Sequence, residues 1–146
     1  MDDLEKFALQ LLDIEKRFLL EDRREYRTAV VVVVTPEKRY SEEVEFESEE
    51  EKVNAYAAIV DRAKENHASA IITINTSFVG SDVSSDYRWG DLEHSSAQRA
   101  ITLTISGPSL EPCSLSLPFS VENGFVNIGE VSGFEPAVVG LLPGWP

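Results

Sequence analysis

Five consecutive valines, Val30 to Val34, lie inside the stretch "TAVVVVVT" (Thr28–Thr35), and this run constrains the fold more than any other feature. Branching at Cβ restricts the side chain in a helix and suits a pleated strand. A half-buried strand alternates apolar and polar residues, whereas this one is apolar at every position. Such a strand has both faces covered, unlike an ordinary open antiparallel strand. The rest of the chain must supply those two covers.

The flanking sequence offers candidates. From residue 3 to 21, Leu4, Phe7, Ala8, Leu11, Leu12, Ile14, Phe18 and Leu19 fall near helical spacing, which predicts an amphipathic first helix. After the valines, "PEKR" reads as a turn and "YSEEVEFE" as a returning strand. Tyr40, Val44 and Phe46 share its inner side, and Glu43, Glu45 and Glu47 face water. "SEEE" at Ser48–Glu51 fits a capping box, with Ser48 capping an amide and Glu51 reaching back to the Ser48 amide. It opens a second helix running to about Asn66, with Val53, Tyr56, Ala57, Val60 and Ala63 as its stripe.

Four more strands follow. "SAIITINTSF" sets Ile72, Ile74 and Phe78 against Ile71, Thr73, Asn75 and Ser77. "RAITLTIS" sets Ile101, Leu103 and Ile105 against Thr102, Thr104 and Ser106. "CSLSLPFS" sets Leu115, Leu117 and Phe119 against Ser114, Ser116 and Ser120. A tight turn at Asn123–Gly124 leads into "FVNIGEV", with Val126 and Ile128 inward. Pro118 cannot donate to a ladder, so its strand is expected to be an edge or to bulge there.

The expected fold class is therefore α+β: a mostly antiparallel six-stranded sheet, with room for one parallel pairing, and two helices packed on one face. The element order is α-β-β-α-β-β-β-β. Residues 1–131 form a single domain. Residues 132–146 form a tail with prolines and glycines but also Phe134, Val138, Val139, Leu141, Leu142 and Trp145. An apolar irregular tail is expected to lie on the domain or on a partner subunit, covering part of the second face of the valine strand.

Charge removes several functions. The net charge is −13, with 26 acidic and 13 basic residues. Binding DNA or RNA needs a concentrated basic surface, and an anionic membrane would repel this chain. No apolar run approaches the ~20 residues that span a bilayer. The start "MDDLEKFALQ" lacks the basic and continuously apolar regions of a secretory signal. Cys113 is the single cysteine, which fits a reducing compartment. A cytoplasmic protein is expected.

Catalytic motifs are not found. His67, His94 and Cys113 stand at no recognised metal-ligand spacing, and no metal is expected. The glutamates from Glu42 to Glu51 read as a strand face and a helix cap, not a calcium site. No glycine pattern cradles a phosphate, so no nucleotide cofactor is expected. The segment "GSDVSSDYRWGDLEHSSAQR" (Gly80–Arg99) is a long connection between strands. Asp91, His94 and Ser95 are too close in sequence to converge as a triad, whose members come from separate segments. Tyr87, Arg88, Trp89, His94 and Arg99 are the candidate partner or ligand contacts, because aromatic and guanidinium groups dominate binding surfaces.

Two readings follow. The favoured one is a non-catalytic binding or assembly domain that forms a homodimer or binds a protein partner. Its basis is the uncharged rows of Thr and Ser on the later strands, since interfaces are depleted in charge at their centres. The alternative is a small enzyme with a site beside the 80–99 loop. It would use His94 as base, with Arg88 or Arg99 holding an anionic substrate.

Overall fold

A computed structural model describes residues 3–17, 19–20, 29–44, 46–78, 99–122, 125–137, Leu142 and Trp145. The elements are α1 (Asp3–Arg17), β1 (Ala29–Val34), β2 (Arg39–Val44), α2 (Glu49–Glu65), β3 (Ala70–Phe78), β4 (Arg99–Gly107), β5 (Leu110–Glu122), β6 (Phe125–Ile128) and the short β7 (Glu135–Pro136). The class is α+β and the expected element order holds. The strands form one sheet in the order β2-β1-β3-β4-β5-β6, with β7 also paired to β5.

Every pairing among the described residues is antiparallel. The parallel pairing that α2 could have made does not occur. β2 and β3 run in the same direction, but β1 lies between them and pairs with both. The valine strand thus takes an interior position between β2 and β3, a place in the strand order that its apolarity alone did not specify.

The helices do not share a face. α1 contributes Ala8 and Leu12, and Leu19 just beyond it joins them, in a core with Val32, Ile72, Ile74, Ile101, Leu103, Ile105, Leu115, Leu117 and Phe119. α2 contributes Tyr56, Ile59, Val60 and Ala63 to a separate core with Val31, Val33, Val44 and Ile71. Alternate residues of β1 enter different cores, so one helix lies on each side of the sheet. The expectation of two helices on one face fails because five valines present two apolar faces of equal quality. One helix satisfies only one of them.

The helical stripes also shift from the expected ones. On α1 the buried positions are Ala8, Leu12 and Glu15, followed by Leu19 in a wider turn beyond the helix, while Ile14 is 46% exposed. Ile14 stands about 200° around the helix from Leu12, at ~100° per residue, so its apolar character cannot bring it inward. On α2, Ile59 is buried and Val53 is exposed.

The local signals for α2 hold well. Ser48 Oγ accepts from the Glu51 amide at 3.1 Å. The Glu51 carboxylate accepts from the Glu47 amide at 2.8 Å, one residue earlier than the expected Ser48 amide. At the other end, Ala68 N–H donates to Ala63 O (2.9 Å) and His67 N–H to Lys64 O (3.1 Å). This is the paired closure of a Schellman motif. His67 takes the left-handed conformation, φ 56°, where glycine is usual. Arg62 then ties α2 to β2, with both Glu42 oxygens within 2.8 Å of one guanidinium nitrogen.

β5 is longer than expected, and Pro118 explains how its outer edge is covered. The β6 ladder runs only from Phe119↔Ile128 to Glu122↔Phe125. At Pro118 the missing N–H ends it, although the Pro118 carbonyl still accepts from Gly129 N–H at 2.8 Å. Further along, Ser132 N–H donates to Ser116 O (2.9 Å), and Ser132 Oγ accepts from Ser116 N–H (2.8 Å). β7 then resumes the pairing at Ser114 and Cys113. Asn123 and Gly124 lie outside the described residues, and the strands they join are in register at Glu122 and Phe125.

Two tail residues join the α2 side. Leu142 and Trp145 are buried in that core, and Trp145 Nε1–H donates to the buried Ser106 Oγ at 3.0 Å.

Candidate functional site

Of the five contacts read from the sequence, Tyr87, Arg88, Trp89 and His94 lie outside the described residues. Arg99 opens β4 opposite Phe78 and Phe119. Its side chain is fully buried on the α1 side, 6.0 Å from the Phe119 ring centre. That face holds a second buried charged residue, Glu15 of α1, which is 6% exposed. Burial pushes the Glu15 carboxyl up to about 7, because ionisation without water is unfavourable. Burial likewise pushes the Tyr56 hydroxyl on the opposite face up to about 12.

Among the described residues two surfaces are the candidates for contact with other molecules. The first is the part of the sheet that α2 leaves uncovered. The α2 core extends to Ile71 on β3. Beyond it, the same side of the sheet carries Asn75, Thr102, Thr104, Ser114, Ser116, Pro118 and Ser120. All are half-buried and none is charged. Thr102 Oγ1 and Ser116 Oγ lie 3.3 Å apart in a cross-strand pair. Val126 and Ile128 pack against the α1 core, so Phe125 and Asn127 take the other side, where Phe125 is 74% exposed. A chain with 27% charged residues and a net charge of −13 has kept the centre of this patch uncharged, with Glu135 of β7, the partner of Ser114, at its margin.

The second surface is a cavity of about 470 Å³ at the end of the sheet where β1 finishes. Four parts of the chain build it. α1 brings Asp3 and Leu4, and the β1–β2 hairpin brings Val34 and Arg39. The approach to β3 brings Ala68 and Ser69, and the β4–β5 turn brings Pro108, Ser109 and Leu110. Local sequence sets each wall. Thr35 N–H and Oγ1 bond Lys38 O at 2.8 and 2.9 Å, which closes the hairpin and places Arg39 opposite Val34. The Schellman closure of α2 delivers Ala68 and Ser69, and Ser69 N–H then donates to Val34 O at 2.8 Å. Gly107 permits the closest approach, since a Cβ there would stand 2.2 Å from Ser69 O.

Arg39 is the cavity's distinctive side chain. Its guanidinium carbon lies 4.0 Å from the centre of the Phe7 ring, a cation–π contact that does not use up its N–H groups as hydrogen-bond donors to a carboxylate. Among the described residues neither Arg39 nor Asp3 forms an ion pair, with each other or with anything else. Ser69 Oγ is engaged with Val34 O at 3.3 Å. Sequence reasoning passed over this site because its members come from four segments and form no motif. The local clue was an arginine opening a returning strand that is otherwise rich in glutamate.

No group of three or more His, Cys, Asp or Glu side chains among the described residues is arranged to hold a metal. No helix among them is long and apolar enough to cross a membrane. In comparisons with family models, curated proteins and solved structures, nothing matches the chain.

Proposed function

We propose that this protein is a non-catalytic binding or assembly domain, acting in the cytoplasm, that self-associates or binds a protein partner through the open face of β4–β6. The observation that carries this reading is the uncharged centre of this face. Thr102, Thr104, Ser114, Ser116 and Ser120 form rows of small hydroxyl residues, with exposed Phe125 at the margin. Interface centres are depleted in charge, and a flat face of small side chains allows close approach. On this reading residues 1–131 act as one domain, with the 132–146 tail folded onto it. The alternative, an enzyme using His94 as base, rests on a residue outside the described ones and gains no support from the geometry.

Thr104→Arg tests the reading, because it places a charge at the centre of the face without removing core volume. Sedimentation equilibrium is expected to show a dimer, or a complex with a partner, for the unaltered protein. The variant is expected to be monomeric with an unchanged melting temperature. A monomer at high micromolar concentration, with no partner retained, sinks the proposal.

A further inference from the structure

We propose that the end-of-sheet cavity is a binding site for a free α-amino acid with an aliphatic side chain. Arg39 takes the carboxylate, Asp3 takes the ammonium, and Leu4, Val34 and Leu110 take the side chain.

Size comes first. A volume of about 470 Å³ lies within the range of small-molecule sites, which are mostly apolar with a few placed polar groups. It is ample for a leucine-sized ligand.

Charge then selects the class. Among the described residues the walls carry one cation and one anion, both solvent-exposed, and neither is neutralised by another described residue. The contact with the Phe7 ring restrains the Arg39 guanidinium, and its planar fork matches a carboxylate in two parallel hydrogen bonds. A simple carboxylate would meet Asp3 and the field of a −13 protein, both repulsive. A simple amine would meet Arg39. A zwitterion satisfies both groups and carries no net charge into the field. The apolar walls disfavour the polar amino acids. This site is separate from the open sheet face, so its occupancy does not depend on self-association.

Titration calorimetry with the unaltered protein tests it, using L-leucine, isocaproate (leucine without its amino group) and isoamylamine (leucine without its carboxylate). Leucine is expected to bind saturably, and each truncated compound at least about tenfold more weakly. Arg39→Gln is expected to abolish leucine binding. Asp3→Asn is expected to weaken leucine and tighten isocaproate, a reversal that loss of folding cannot mimic. No saturation by leucine up to about 10 mM overturns the proposal. So does equal affinity for leucine and isocaproate, since the ammonium would then contribute nothing. Because the ligand panel needs no variant, a misfolded mutant leaves the test intact. Sedimentation of the ligand-free protein reports separately on self-association.

Discussion

The two faces of the sheet are built from the same strands and differ in what covers them. On the α1 side the apolar surface is continuous from β1 to β5, and α1 with Leu19 seals it. On the α2 side the apolar surface extends over β2, β1 and the start of β3. It then changes to threonine and serine. Register makes the change sharp: Ile72↔Ile105 and Ile74↔Leu103 on one side alternate with Thr73↔Thr104 and Asn75↔Thr102 on the other. A one-residue slip would exchange the two sets, so the alternation fixes the pairing. One face is a core and the other is half core, half surface. The surface half is where a partner can be met without dismantling the fold.

The largest test of this contrast compares neighbours on β4. Leu103 is fully buried on the α1 side, and Leu103→Ala is expected to destabilise by about 3 kcal/mol through lost transfer energy and the cavity left behind. Thr104→Ala, on the open face, is expected to change stability by less than about 1 kcal/mol. Chemical denaturation of the two variants measures the difference. Equal losses would mean that the hydroxyl face is as tightly packed as the core.

A smaller effect tests where the α2 side ends. Trp145→Phe retains an aromatic ring but loses the hydrogen bond to buried Ser106. A loss of about 1–2 kcal/mol is expected, because the Ser106 hydroxyl keeps its burial without a partner. If Ser106→Ala in the same background recovers most of that loss, the unsatisfied hydroxyl was the cause. If it does not, tryptophan packing was.

The smallest concerns the buried acid on the sealed face. Glu15 titrates near 7 in the folded protein, above the ordinary 4.5. Below about pH 4.5 both states are protonated and the group has no effect. Between about 4.5 and 7 the unfolded state loses its proton first, so stability falls as pH rises, and above 7 the full penalty applies. The shift corresponds to about 3 kcal/mol, and burying an amide in place of the carboxylate offsets much of it, so Glu15→Gln is expected to remove this dependence and to raise stability at pH 8 by a net amount on the order of 1 kcal/mol. Melting curves of both proteins at pH 4 and pH 8 measure it. An unchanged difference between the two pH values in the variant would assign the pH dependence to other groups.

Strand identity was legible wherever alternation was strong. Ile101, Leu103, Ile105, Leu115, Leu117 and Phe119 all lie inward as their pattern requires. The cap at Ser48 was legible because capping is a local bargain among four residues. The helical stripes were read less well. Ile14 and Val53 are apolar but face out, and Glu15 is acidic but faces in, so residue type misled where angle decided. Arg99 looked available for a ligand and is buried, because nothing near it in sequence reveals that Phe119 lies alongside.

Propensity and periodicity act over a few residues, so the two helices, β1 to β6 and their order along the chain were legible in the sequence, whereas the short β7 in the tail and the place of the valine strand between β2 and β3 were not. Only the tertiary structure decided that the helices take opposite faces, that Trp145 reaches Ser106, and that Asp3, Arg39 and Ser109 line one cavity. Those pairings join residues tens of positions apart. Chain closure brings them together through packing and register across the whole sheet, and no local pattern encodes that sum.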